Sequence, residues 1–262
     1  MPTPHGESIS RSRHQTSGKR RAAVRRTEAA EGGLTHSPAH LKLRDVIEQL
    51  LPAVVAVVEA GADESHEPLL AEEQDALGAA VPRRRDEFAA GRSCARRALS
   101  ALGQPPRAIL PGAHREPRWP VGFVGSITHC SGYCAAAVAR ADEIVTLGID
   151  AEIHEPLPAG ILDEIAVPGE LDWLRTRAGD GTCWDRLLFS AKESVFKAWF
   201  PLAGRWLDFE DARISFAPGS GTFDAQLLVE GPRVAGIEVR GFSGRFHAGQ
   251  GLVLTAITMA AR

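Results

Sequence analysis

Cysteine is scarce in this chain, with four in 262 residues: Cys94, Cys130, Cys134 and Cys183. Cys130 and Cys134 flank a Ser-Gly-Tyr turn, but no second CxxC and no nearby histidine pair completes a zinc site. So few thiols at this length are expected to stay reduced, as in the cytosol. No run of about 18 apolar residues occurs, so a membrane span is not expected. The first 40 residues lack the apolar segment of a secretory signal. No internal repeat is visible. Strands and helices do not alternate in a strict βαβ order, which turns the fold class from a doubly wound sheet toward α+β.

What is present is an ordinary globular composition, 44% hydrophobic and 24% charged, long enough for one large domain or two modest ones. The net charge of −3 hides an asymmetry. Residues 1–40 hold seven Lys or Arg against three acids, giving +4, so the other 222 residues sum to −7. This Arg-, Ser-, Gly- and Pro-rich leader has no apolar period and reads as a disordered tail or an over-extended start site. A transit peptide or a nucleic-acid-binding tail are the alternatives.

From Leu41 the pattern becomes regular. "LRDVIEQLLPAVVAVVEA" suggests a short helix broken at Pro52, then a strand buried on two sides. "LLAEEQDAL" and "PRRRDEFAAGRSCARRALSAL" look helical, the second with Phe88, Cys94, Ala95, Ala98, Leu99 and Leu102 as its buried face. A Pro/Gly-rich loop spans Gln104 to Pro120. Strands follow near "VGFVGSITH", "YCAAAVARA" and "IVTLGIDAEI", then a helix beginning around "CWDRLLF". Strands near "RISF", "TFDAQLLV", "GIEVRGF" and "GLVLTAITMA" close the chain.

Three short stretches carry chemistry. In "FSAKESVFKAWF", Phe189 to Phe200, a helical period lines up Phe189, Glu193 and Lys197, with Phe196 and Phe200 one step round beside Lys192. The charges then border a buried stripe, where a carboxylate is held rigidly yet reaches a ligand. Two structural readings compete: a Glu193–Lys197 pair worth a few tenths of a kcal/mol, and Ser190 as an N-cap with Glu193 as its capping-box partner. The second is weakened by the earlier helix start. In "LGIDAE", Asp150 and Glu152 point to the same side of a strand, where two carboxylates repel unless exposed or shared by a cation. Mg²⁺, completed by waters and phosphates, suits such a pair. In "GSITHC", Thr128 and His129 at a strand end place small polar groups and an imidazole against an anion, although a lone histidine is more often satisfied in the core or at the surface.

In this order, "GSITH", "GIDAE" and "FSAKESVFK" resemble the 4′-phosphopantetheinyl transferase superfamily of the surfactin-synthetase-activating type. The likeness is strong from about Pro82 to Asp211 and looser in the flanks, and it is close to the single-chain actinobacterial members. It implies two similar α/β halves related by a pseudo-twofold axis, with the site between them. The halves would be residues 41–142 and 143–262, after the leader 1–40. It implies transfer of 4′-phosphopantetheine from coenzyme A to a serine of an acyl or peptidyl carrier protein, with release of 3′,5′-ADP. Mg²⁺ would be the cofactor, with Mn²⁺ as a substitute. The carriers would serve fatty-acid, polyketide or nonribosomal peptide synthesis.

By motif position, the resemblance implies that Asp150, Glu152 and Glu193 hold the metal. Glu193 would act as ligand or base and Lys197 would stabilise the pyrophosphate. Coenzyme A would be bound by Arg84, Arg92, Gly112, Thr128, His129, Asp150, Lys192, Glu193 and Lys197. The paired arginines fall in a basic stretch: Arg83 to Arg118 carries nine arginines against three acids. Guanidinium forks suit phosphates. Where the family often has Lys or Arg before Gly112, this chain has Pro111, and His114 or Arg115 is left to compensate. A monomeric cytoplasmic protein is implied, with no membrane or nucleic-acid partner. Two other readings stand beside this one: a nucleic-acid-associated protein using the leader and the arginine helix, and a generic Mg²⁺-dependent phosphohydrolase. The net acidic folded part opposes the first. The second leaves the ordered His, Arg and Lys unexplained.

Overall fold

The computed structural model describes residues 46–61 and 64–261; the expected basic leader, residues 1–40, lies outside them. A 3-10 turn at Glu48–Leu50 replaces the expected opening helix as far as that segment is described. There follow β1 (Ala56–Gly61), α1 (Ala71–Leu77), α2 (Pro82–Ala101), β2 (Phe123–Cys130), β3 (Tyr133–Arg140) and β4 (Ile144–Ile153). The second part continues with α3 (Ile161–Ile165), α4 (Pro168–Arg175), α5 (Trp184–Ala203), β5 (Ala212–Ala217) and β6 (Thr222–Leu227). The pair β7 (Arg233–Val234) and β8 (Ile237–Glu238) precedes β9 (Gly241–Gly249) and β10 (Leu252–Ala260).

Two antiparallel sheets result, one ordered β1-β3-β2 and one β4-β10-β9-β6-β5, and each is backed by a 20-residue helix. Helix α2 begins with Pro82 at its first turn, where the missing N–H is no loss. Its face of Cys94, Ala95, Ala98 and Leu99 packs on Cys134, Ala136 and Val138 of β3. Helix α5 packs Leu188, Ala191, Val195, Ala198 and Trp199 against the five-stranded sheet, a spacing of three and four that puts them on one stripe. The opposite faces of both sheets share a core that includes Ala135, Ala137, Leu147, Ile149, Leu254 and Ala256. This two-halved mixture of helix and antiparallel sheet is the α+β class expected.

Several local expectations change. Strand β1 is half-buried throughout rather than buried on two sides, because it forms the edge of its sheet. "GIEVRGF" divides between β8 and the start of β9, whose glycines at 241 and 244 weaken its strand pattern. At Gly244 an added Cβ would stand 2.3 Å from the Phe223 ring. Helices α3 and α4 carry too few residues for a period to stand out. All four cysteines are free thiols.

Strands β2 and β4 lie side by side at the seam of the two sheets, but they belong to different hydrogen-bonded sheets. Side chains bridge them instead. The Ser126 hydroxyl accepts the Ile149 N–H at 3.1 Å, and the Thr128 hydroxyl accepts the Ala151 N–H at 2.9 Å. Hydroxyls standing in for carbonyls satisfy the buried N–H groups of β4 and bring "GSITH" against "GIDAE".

Candidate active site

The seam brings the three motifs together. Alternation along β4 puts Leu147, Ile149 and Ala151 in the shared core, so Gly148, Asp150 and Glu152 face α5. Gly148 is required there by close approach: a Cβ would lie 2.1 Å from the Ser194 carbonyl oxygen of α5. With the helix backbone this close, Lys197 reaches β4. Its ammonium donates to the Asp150 carboxylate at 2.7 Å and to the Ile149 carbonyl at 2.9 Å. The Thr128 hydroxyl donates to the same Asp150 oxygen, Oδ1, at 3.3 Å. Asp150 thus ties the first motif to the third.

The other Asp150 oxygen, Oδ2, is buried with no hydrogen-bond partner. A buried carboxylate oxygen left without a donor is costly unless a cation or a ligand meets it, so the site fits a hard cation at Asp150. Glu152 is differently placed, its carboxylate 3.1 Å from the Arg186 guanidinium. Arg186 is itself fixed by the carbonyls of Glu155 and Pro156, at 3.0 and 2.9 Å. Among the described residues, no group of three or more His, Cys, Asp or Glu side chains is gathered as a metal cluster. The carboxylates of Asp150, Glu152 and Glu193 therefore do not form a closed cage among the described residues.

On α5 the partly exposed stripe runs through Arg186, Phe189, Glu193, Phe196, Lys197 and Phe200, so Phe189, Glu193 and Lys197 share a face as expected. Ser190 does not cap this helix. It lies in the second turn after Trp184, and its buried hydroxyl bonds that of Thr255 at 2.9 Å.

Lys192 corrects an expectation. It is buried, 2.8 Å from the Glu170 carboxylate, and donates to the carbonyls of Phe209 and Ala212. Burial pushes its ammonium below its ordinary pKa, opposed by Glu170. One residue round from Glu193, it turns under the helix into the core, and the structure does not bring it to the seam.

Across the seam, a cleft of about 520 Å³ is lined by Arg84, Glu87, Phe88 and Arg92 of α2, by Pro111 and Arg115 of the following loop, and by Ile127 and His129 of β2. Gly91 also lines it and brings α2 close to β2, since an added Cβ would stand 3.0 Å from the Ile127 side chain. Arg92 is buried, stacks over Phe88 with its Cζ 4.1 Å from the ring centre, and donates Nε to the Ile109 carbonyl at 2.6 Å. Burial lowers its pKa to about 10, partly offset by Glu73, and it stays protonated at neutral pH. Arg84 is more exposed, 43% for its side chain, and stands at the cleft wall.

The loop after Ile109 is held by a buried network that sequence reading missed. The Glu73 carboxylate accepts the Ile109 N–H at 3.0 Å and pairs with Arg96 at 2.6 Å. Pro111 and Pro117 bridge the ends of the tight turn that follows. Gly112 sits inside that turn, where its N–H is given to the Glu116 carbonyl and a Cβ would overlap the Glu116 carboxylate. Gly112 therefore shapes the loop and does not itself line the cleft. His114 packs edge-on against Phe200, ring centres 5.3 Å apart, whereas Arg115, at φ 71°, lines the cleft. Of the two candidate replacements for the base missing at Pro111, Arg115 is the one placed among the cleft cations.

Neither Arg186 nor Glu87 is part of the motif positions that suggested the site. Arg186 stands seven residues before Glu193, a spacing that already puts both on one helical stripe. Glu87 gives no such signal among so many arginines.

Comparison with known proteins agrees with the motifs. Residues 72–139 match the 4′-phosphopantetheinyl transferase N-terminal domain, and residues 146–233 match the 4′-phosphopantetheinyl transferase superfamily. The chain is 51% identical over 221 residues to 4′-phosphopantetheinyl transferase Svp of Streptomyces mobaraensis, covering 82% of this chain and 90% of that protein. It is 45% identical to PptT of Mycobacterium tuberculosis and 45% identical to Npt of Nocardia iowensis, both 4′-phosphopantetheinyl transferases. Each comparison covers 82% of this chain, with 98% and 100% of the respective relatives. Ordered motifs that meet at one seam, in a chain this similar to transferases along four-fifths of its length, have one reading: the chain belongs to the 4′-phosphopantetheinyl transferase superfamily.

Proposed function

We propose that the seam is where this transferase moves 4′-phosphopantetheine from coenzyme A to a carrier-protein serine, with the cleft holding the nucleotide and α5 supplying the chemistry. The observation that carries this assignment is the Asp150 carboxylate, bound by Lys197 and Thr128 through one oxygen and buried without a partner at the other. Asp150, Glu152 and Glu193 are the residues that would hold Mg²⁺ or Mn²⁺. When bound, such an ion neutralises pyrophosphate oxygens and polarises the phosphorus under attack. Glu152 would have to loosen its pair with Arg186 to join it.

In this reading Arg84, Arg92, Arg115 and His129 hold the nucleotide phosphates, and Arg115 takes the place of the basic residue absent at Pro111. Lys197 gives one of its three hydrogens to Asp150 and one to the Ile149 carbonyl, and has one left for the pyrophosphate. Glu193 accepts the proton of the incoming serine as its oxygen attacks the phosphorus attached to pantetheine, and 3′,5′-ADP leaves. Lys192 acts only by holding α5 to the sheet. The boundary between the halves falls in the turn Ala141–Glu143, and the acceptors are acyl or peptidyl carrier proteins. No helix of the described residues is long and apolar enough to cross a membrane. Neither the nucleic-acid-binding nor the phosphohydrolase reading gains support from the relatives.

The test is incubation with coenzyme A, Mg²⁺ and an apo carrier protein, weighing the carrier, for the parent and for Glu193→Gln. Glutamine keeps the shape but not the basicity, so transfer should fall by about 10²–10⁴-fold. Coenzyme A affinity and melting temperature should hold. A Glu193→Gln rate within about tenfold of the parent would overturn the assignment of the base.

A further inference from the structure

The cleft that collects cations also contains an acid. Glu87, on α2, lies 3.1 Å from the Arg83 guanidinium, 3.9 Å from that of Arg84 and 4.0 Å from the His129 imidazole. Its side chain is 25% exposed, and it lines the same cleft as Arg84, Arg92, Arg115 and His129. A carboxylate is out of place in a site that must take up phosphates, since like charges at such distances repel. Arg84, Arg92 and Arg115 would also repel one another if nothing stood between them. An anion that gives way to the ligand would meet both demands.

We infer that Glu87 is a placeholder anion: in the free enzyme it occupies the Arg84–His129 side of the cleft, and a nucleotide phosphate displaces it on binding. This rests on the reading of the cleft as the coenzyme A site. The exchange is one anion for another. The 3′-phosphate brings nearly two negative charges and three acceptor oxygens against one charge and two oxygens. A ligand lacking that phosphate keeps only the singly charged phosphates of its pyrophosphate, each no stronger a rival than the carboxylate itself. The carboxylate thereby lowers affinity for every phosphate it must yield to, and it keeps the cations arranged in the meantime. Rim pairs of this kind are individually weak, so displacement is reversible.

The experiment is calorimetric titration of the parent, Glu87→Gln and Glu87→Ala with coenzyme A and with dephospho-coenzyme A, which lacks the 3′-phosphate. Removing the competing charge should tighten coenzyme A binding by about threefold to tenfold in both variants. Dephospho-coenzyme A should change by less than about twofold, so selectivity for the 3′-phosphate rises. Weaker coenzyme A binding in both variants would show that Glu87 serves only to orient Arg84, and would overturn the inference. An equal gain for both ligands would also overturn it, because it would mean a general change in potential rather than an exchange. Failure of the parent itself to bind coenzyme A would instead overturn the assignment of the cleft.

Discussion

Lys192 and Glu193 are neighbours in one motif, and the structure gives them opposite environments. Lys192→Met separates a structural lysine from a ligand-binding one. Methionine approximates the length of the stem and removes the charge. Glu170, 3% exposed at its side chain, would then be left as a buried carboxylate without its cation. Breaking a buried pair by removing one partner costs about 3–5 kcal/mol. Here the carboxylate keeps two backbone donors, Val167 N–H at 2.8 Å and Ile214 N–H at 2.6 Å, which argues for the lower end. Desolvation already opposes the Lys192 charge, which points the same way. A loss of about 3 kcal/mol lowers the melting temperature of a domain this size by roughly 6–12 °C. Adding Glu170→Gln should restore part of the loss, because the stranded charge is gone. The assays are thermal melting beside titration with coenzyme A, whose affinity should stay within about twofold of the parent in the folded variant. A Lys192→Met protein melting within about 2 °C of the parent, yet binding coenzyme A more than about tenfold less tightly, would refute the reasoning and return Lys192 to the ligand.

Two further outcomes are expected. Gly148→Ala forces a Cβ to within 2.1 Å of the Ser194 carbonyl oxygen; overpacking of this kind costs about 1–3 kcal/mol or more, and lifting α5 from β4 should reduce transfer beyond what the melting temperature accounts for. Asp150→Asn keeps the acceptor for Thr128 and the side-chain volume but loses the charge, so calorimetric titration with Mg²⁺ should show affinity lowered by about tenfold or more; unchanged Mg²⁺ binding would remove Asp150 from the metal site.

Much of this protein could be read along the chain. The periodicity of "PRRRDEFAAGRSCARRALSAL" gave its buried face because an amphipathic helix records its own orientation in spacing, and α2 spans Pro82–Ala101 as a result. The same holds for the stripe of Phe189, Glu193 and Lys197 on α5, and for Asp150 and Glu152 on one side of β4. Strand alternation and helical period are local rules. Three motifs in order also sufficed to name the family, since their residues are tied by shared chemistry even when far apart in number. Long-range pairings are a different matter. No spacing rule announces that Lys192 meets Glu170, that Arg186 takes up Glu152, or that Ser126 and Thr128 lend hydroxyls to the N–H groups of β4. Each depends on which face of which element lies opposite. Helix α5 carries charges on adjacent residues, Lys192 and Glu193, and a rotation of about 100° between them separates a core ion pair from the partly exposed stripe. Composition and period could place both near the border of a buried stripe. Only packing of α5 on the sheet, at the point where Gly148 admits its backbone, decided which charge turned inward and which remained on the partly exposed stripe with Lys197.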